Sequence, residues 1–130
     1  MPEIPEEYRD LFEKRTLAHV ATLMGSGVPH VTPVWIDYDP ERNRVLVNTE
    51  RGRQKDRNVR ENPAVGVSMA DPDDIYRYIA LIGEVDGITT DGAREHIDEL
   101  SRRYTGQDYQ PSIGTERVIH EIRPDRIIGR

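Results

Sequence analysis

The sequence predicts a mainly β domain: six strands, linked largely as hairpins, in an antiparallel barrel or curled sheet with two or three helices. Short β-prone runs recur along the chain, punctuated by turn signals at Gly25-Ser26-Gly27, Asp39-Pro40 and Arg42-Asn43. Helical patterns do not alternate with the strands, which excludes a doubly wound α/β arrangement. With 130 residues, the chain reads as one domain over residues 1–130.

The elements follow in order. Glu3 to Arg15 reads as an opening helix, with Ile4, Tyr8, Leu11 and Phe12 on one face. His19 to Met24 is the first strand, Val28 to Tyr38 the second and Val45 to Thr49 the third. Arg53 to Asn62 is a short helix that stops before Pro63, because the residue preceding proline disfavours helix. Ala64 to Ala70 is the fourth strand, and Asp71-Pro72-Asp73-Asp74 is a loop. Tyr76 to Val85 is a fifth strand, apolar enough that both faces are expected to be covered. Thr90 or Asp91 caps a helix running to Tyr104, with Ile97 and Leu100 inward. A polar loop leads to a last strand, Arg117 to Arg123, which Pro124 limits.

Composition narrows the function classes. Apolar residues make up 35% and charged residues 32%, a polar balance that favours a core shared across a dimer interface. The absence of cysteine excludes disulfides, iron–sulfur clusters and thiolate chemistry. A net charge of −6 argues against a nucleic-acid partner. Met1 to Asp10 carries three glutamates and no apolar run, so no secretory leader is expected. No stretch approaches the roughly 20 apolar residues of a membrane helix, and a soluble cytoplasmic protein is expected. Only Lys14 and Lys55 are lysines; the other basic residues are arginines, as a high-salt habitat or a G+C-rich genome would each produce.

One segment departs from this acidic background. Arg51, Arg53, Lys55, Arg57 and Arg60 crowd ten residues that hold a single acid, Asp56. Cations at a helix start oppose the helix dipole, at a cost of a few tenths to about 1 kcal/mol each. The free N–H groups there favour a bound anion, and Gly52 permits a sharp turn or a close backbone approach. Strand, glycine turn and basic helix start together suit a phosphate. The same residues also describe a solvated basic helix, and no Walker or G-x-G-x-x-G pattern accompanies them.

The run Thr49-Glu50-Arg51-Gly52-Arg53-Gln54-Lys55-Asp56-Arg57-Asn58-Val59-Arg60-Glu61-Asn62-Pro63 resembles the pyridoxamine 5′-phosphate oxidase-like family of flavin split barrels. His19-Val20-Ala21-Thr22-Leu23, Val31-Thr32-Pro33-Val34-Trp35, Gly83-Glu84-Val85 and Ile122-Arg123-Pro124 extend the likeness over nearly the whole chain, in particular to the short branch of F420-dependent oxidoreductases. The resemblance implies a six-stranded split barrel, an obligate homodimer and two cofactor sites in grooves at the interface. It places Thr49, Arg51, Arg53, Lys55 and Asn58 on the cofactor phosphate, with Gly52 in the same turn. It places Pro33, Val34 and Trp35 beside the isoalloxazine or deazaflavin ring. The implied cofactor is coenzyme F420, with FMN as the alternative. The pyridoxamine phosphate oxidases proper are longer, with a basic C-terminal substrate segment; residues 124–130 do not match it, so vitamin B6 oxidation is not expected. Many short relatives end near an aromatic residue after that proline, and none stands here.

Other constellations carry less. No two of His19, His30, His96 and His120 have metal-ligand spacing. His19 and His30 flank the first hairpin and could pair across it, while His96-Ile97-Asp98-Glu99 reads as an exposed helix face. Asp71, Asp73 and Asp74 read as a turn and not an EF-hand loop, which would need its glycine and terminal glutamate. Trp35, Tyr76 and Tyr78 read as core or interface, with ring contact an alternative. The expected activity is hydride transfer between F420 and a small electron-poor conjugated substrate, which needs orientation and a dry pocket more than side-chain acids or bases. A non-enzymatic flavin or tetrapyrrole binder and a scaffold that binds nothing are the competing readings.

Overall fold

The computed structural model describes residues 2–129. Its strands are β1 (Leu17–Leu23), β2 (Pro29–Trp35), β3 (Asp37–Asp39), β4 (Arg44–Glu50), β5 (Ala64–Asp71), β6 (Asp74–Thr89) and β7 (Arg117–Gly129). Its helices are α1 (Gln54–Glu61) and α2 (Ala93–Thr105), preceded by a 3-10 helix over Glu6–Phe12. All pairings are antiparallel, and the strands form one sheet in the order β2-β1-β5-β6-β7-β4-β3.

That order defines the architecture. The outermost strands, β2 and β3, are consecutive in the chain and separated only by Ile36. The sheet therefore curls until its two edges meet at Ile36. The single second strand expected from Val28 to Tyr38 is split at this seam. Its first part pairs with β1 (Leu17↔Trp35) and its second with β4 (Asp37↔Leu46). At the break, the Ile36 N–H leaves the ladder and donates to the Tyr104 hydroxyl at 3.2 Å. The described chain is thus a half-barrel split along one seam, with α2 lying over the seam.

Alternation along the strands builds the interior. Val20, Val45, Val47, Ile79 and Ile122 point inward, and Ile4, Leu11 and Phe12 plug one end from the N-terminal segment. That segment has the inward residues expected of it, but in a short 3-10 turn starting after Pro5, not a helix over Glu3 to Arg15. Thr22 and His30 face each other across the first hairpin, and His19 faces Pro33, so the two histidines do not pair.

Two further expectations are corrected. β7 does not stop at Pro124 but continues to Gly129. Pro124 lies opposite Gly83, where the β6–β7 register shifts, and a bulge tolerates a residue that lacks an N–H. Gly83 makes this crossing possible: a Cβ there would sit 2.0 Å from the Arg123 carbonyl oxygen. β6 is covered on one face only within this chain. Ile79, Leu81 and Val85 are buried, while Ile82 is 54% and Tyr76 80% exposed. Among the described residues no helix is long and apolar enough to cross a membrane.

Candidate functional site

β4 leads directly into the site. After Glu50 the chain turns through Gly52, whose φ of 92° lies in the left-handed region that favours glycine. The Asp56 carboxylate accepts the Gly52 N–H at 3.0 Å and fixes the turn from inside the following helix. Arg53 occupies the N-cap of α1 in an extended conformation and provides no side-chain cap, so the first-turn N–H groups meet no capping side chain.

This helix start opens onto a groove of about 290 Å³ along the seam. Six of the nine sequence-assigned residues line it: Pro33, Val34 and Trp35 on β2, Thr49 on β4, and Arg53 and Lys55 at α1. The other three lie outside. Arg51 is ion-paired with Glu116. Gly52 forms the turn behind the groove. Asn58 is buried against the barrel, its Nδ2 donating to Thr22 Oγ1 at 2.9 Å and its Oδ1 accepting from Gln54 at 2.7 Å.

Sequence reasoning missed Arg117, Asn48 and Tyr109, which line the groove together with Leu17 and Ile97. Arg117 opens β7 only 8% exposed, donating Nε–H to Asn48 Oδ1 at 2.8 Å with its guanidinium 5.1 Å from the Tyr109 ring centroid. In sequence it was only the first residue of a strand. Its place beside Glu50 follows from the β4–β7 register, which no local pattern encodes. Tyr109 meets Trp35 edge-on at 6.3 Å, and Trp35 stacks on Tyr104 at 5.2 Å, giving the groove an aromatic wall.

The electrostatics are one-sided. Arg53 has a loose partner in Glu50 at 3.5 Å, whereas Lys55 and Arg117 have no ion-pair partner among the described residues. Burial pushes the Lys55 ammonium below its ordinary value, and repulsion from Arg53 and Arg117 adds to the effect. Burial likewise lowers Arg117, with Arg53 acting in the same direction and Tyr109 and Glu50 opposing. Glu50 is itself drawn down by the Thr115 N–H at 2.7 Å and is engaged there. The remaining cations of the basic segment are occupied. Arg57 donates to the Gly52 carbonyl and to Gln54, and Arg60 pairs with Asp56 at 3.0 Å.

Behind the helix, Asp56 and His120 form a buried pair at 2.9 Å. Burial holds His120 below the usual histidine value, against the attraction of Asp56. For Asp56, burial opposes the charge, but the Gly52 N–H, His120 and Arg60 outweigh it and leave the carboxyl lowered. His96 is also buried, contrary to the solvated face expected for it, with Nε2 2.9 Å from Asp37 Oδ2. α2 is capped by Gly92 and not by Thr90 or Asp91. Asp71 and Asp73 meet Lys14 at 2.7 and 3.1 Å.

Comparison with known proteins places this architecture. Residues 4–130 match the family model described as pyridoxamine 5′-phosphate oxidase. The chain belongs to this family. A solved F420 reductase is 35% identical with a TM-score of 0.84, covering 96% of this chain and 98% of that one. HupZ of Group A Streptococcus (21% identity, TM-score 0.72, 97% and 93% coverage) shares the fold. So does the conserved hypothetical protein Rv2991 of Mycobacterium tuberculosis (22%, 0.76, 99% and 85%). No curated protein sequence matches the chain. Membership of the family establishes the split-barrel fold and points to an oxidoreductase that uses a flavin-type cofactor.

Proposed function

We propose that the seam groove holds the phosphate end of coenzyme F420, and that the protein is an F420-dependent reductase of small electron-poor conjugated molecules. The observation that carries this reading is the convergence of Arg53, Lys55 and Arg117 on one groove, two of them partly desolvated and without an ion-paired carboxylate among the described residues. Keeping such charges there is costly unless an anion completes the site. The uncapped first turn of α1 adds N–H donors on the same side. The residues therefore fit a phosphate, and the Trp35–Tyr109 wall fits a planar ring beside it.

When bound, a reduced deazaflavin or flavin supplies a hydride to the acceptor. Arg53, Lys55 and Arg117 bind the anionic end, each charge-assisted hydrogen bond contributing roughly 1.5–3 kcal/mol. Trp35, Val34 and Pro33 orient the ring and keep water from its face. Among the described residues the groove lining holds no carboxylic acid or histidine, so solvent provides the proton that completes reduction. F420 is favoured over FMN by the 35% identity to an F420 reductase and by Arg53, which lines the groove beside Lys55 and suits an anionic oligoglutamate tail.

A homodimer in a cytoplasmic setting belongs to the same proposal. At about 290 Å³ the groove is at the small end for ligand clefts, so one chain encloses only part of a cofactor. Leu17 and Pro33 connect it to the outer face of β2-β1-β5-β6, where Val31 and Ile82 are exposed beside Ala21 and Gly66. A second copy on this apolar face would bury it and close the groove.

The test is a fluorescence titration of the apo-protein with F420 and, separately, FMN, repeated on Lys55→Ala. Micromolar or tighter F420 binding that exceeds FMN and falls roughly 10- to 100-fold in the variant is expected. Preference for FMN would reassign the cofactor. Tight binding without reduction of any conjugated acceptor would make the protein a carrier or sensor, and binding of neither would remove the cofactor reading.

A further inference from the structure

Arg117 is tied to a half-buried chain of polar groups that cofactor binding by itself does not require. Its Nε–H donates to Asn48 Oδ1 at 2.8 Å. Asn48 Nδ2 donates to the Ala93 carbonyl oxygen at 2.8 Å and lies 3.2 Å from His96 Nδ1. His96 Nε2 is 2.9 Å from Asp37 Oδ2. Arg103 closes the chain, donating to Asp37 Oδ1 at 3.2 Å and to the carbonyls of Phe12 and Ile36 at 2.7 and 3.1 Å. Four elements, the β3–β4 hairpin, α2 and β7, meet in this line.

The chemistry allows one arrangement of protons. Arg117 Nε can only donate and the Ala93 oxygen can only accept, so the Asn48 amide has one orientation. Its Nδ2 is a donor, so His96 Nδ1 must be bare, and the ring proton sits on Nε2 facing Asp37. Donors then point the same way from Arg117 through Asn48 and His96 to Asp37. A proton on Nδ1 would set N–H against N–H and displace the Asn48 amide.

We infer that Asn48 and His96 are positioning residues that hold the Arg117 guanidinium by Nε and leave its terminal nitrogens facing the groove for the cofactor's anionic group. Without that hold, the side chain is free to swing toward Glu50, the nearby carboxylate that already acts on it. The inference rests on the proposed anion site. It assigns the seam a second role: the contacts that pack α2 over the split also aim a binding residue from β7.

Two measurements test it. In the free wild-type protein, ¹⁵N NMR should show His96 with an unprotonated Nδ1 and a slowly exchanging Arg117 Nε–H. Exchange should accelerate in Asn48→Ala and in His96→Leu. In titrations with F420 and with FMN, Arg117→Ala should weaken binding roughly 10- to 100-fold, and Asn48→Ala about 3- to 10-fold. Adding Asn48→Ala to Arg117→Ala should cost nothing more, which a general loss of packing would not reproduce. An Nδ1–H tautomer in the wild type, unchanged Nε–H exchange in both variants, or additive losses of affinity would overturn the inference. Wild-type protein that binds neither cofactor would overturn the reading of the groove instead. The exchange data would then still decide whether Asn48 and His96 position Arg117.

Discussion

Replacing Lys55 with methionine should stabilise the free protein and weaken its anion binding at the same time. Lys55 sits in the first turn of α1, half-buried in the groove, with Arg53 and Arg117 nearby and no carboxylate partner among the described residues. Its charge opposes the helix dipole, and removing it should return about 0.3–1 kcal/mol from that source alone. Methionine keeps the apolar stem packed. For a domain of this size the gain corresponds to roughly 1–5 °C in Tm. Loss of one charge-assisted hydrogen bond to the phosphate should cost roughly 1.5–3 kcal/mol, a 10- to 150-fold rise in Kd. pH supplies a second signature. The folded-state value of Lys55 lies below its ordinary 10.5, so the unfolded chain binds the extra proton and stability rises with pH across that interval. The rise should vanish in Lys55→Met. Urea unfolding of the free protein and titration with F420 and FMN measure both effects. A free variant less stable than wild type, or one that binds cofactor within twofold of it, would refute the account of this lysine as a charge held for an anion.

The buried His120–Asp56 pair predicts acid sensitivity. His120 is held below its ordinary 6.5, so stability should start to fall as pH drops below that value and the unfolded histidine takes up a proton. Asp56, also lowered, should add a second loss as pH falls below 3.8 toward its folded-state value. Urea midpoints across pH check this, and a His120→Gln variant should flatten the first step. Asp56→Ala should cost about 2–6 kcal/mol by leaving two buried donors, the His120 ring and the Gly52 N–H, each unpaired, measurable by thermal melts. Gly83→Ala should lower Tm by roughly 3–15 °C, because its Cβ would meet the Arg123 carbonyl oxygen at 2.0 Å and force the β6–β7 crossing apart. Ile82→Asp should leave the chain folded but monomeric in analytical ultracentrifugation and weaken cofactor binding; a variant that sediments as the wild type does would remove the outer face as the dimer interface.

Much of the fold was legible because its signals are local. Alternating apolar residues, the Gly27 and Asn43 turns and the helix stop before Pro63 each depend on a few neighbouring residues, and β1, β4 and β5 stand within two residues of where the pattern places them. Local rules failed where partners came from afar. Pro124 reads as a strand terminator, but Gly83 opposite it makes room for a bulge. His96 reads as exposed because its helix is charged, but Asn48 and Asp37 on two strands bury it. Ile82 reads as covered on both sides of an apolar strand, yet the single chain covers one face.

The same division holds for the site. By itself the sequence determined that a cationic segment follows a strand, turns at glycine and starts a helix, since charge count, glycine and the proline stop are properties of adjacent residues. Arg57 and Arg60 are taken up by contacts within five residues, and tertiary structure decided the state of Arg51 and Lys55. Arg51 is taken up by Glu116, and Lys55 is left facing Arg117, a residue more than sixty positions away. The reason is physical: an ion pair or an orphaned charge depends on distance in space and on exclusion of water. Both are set by how the sheet curls until β2 and β3 meet at Ile36.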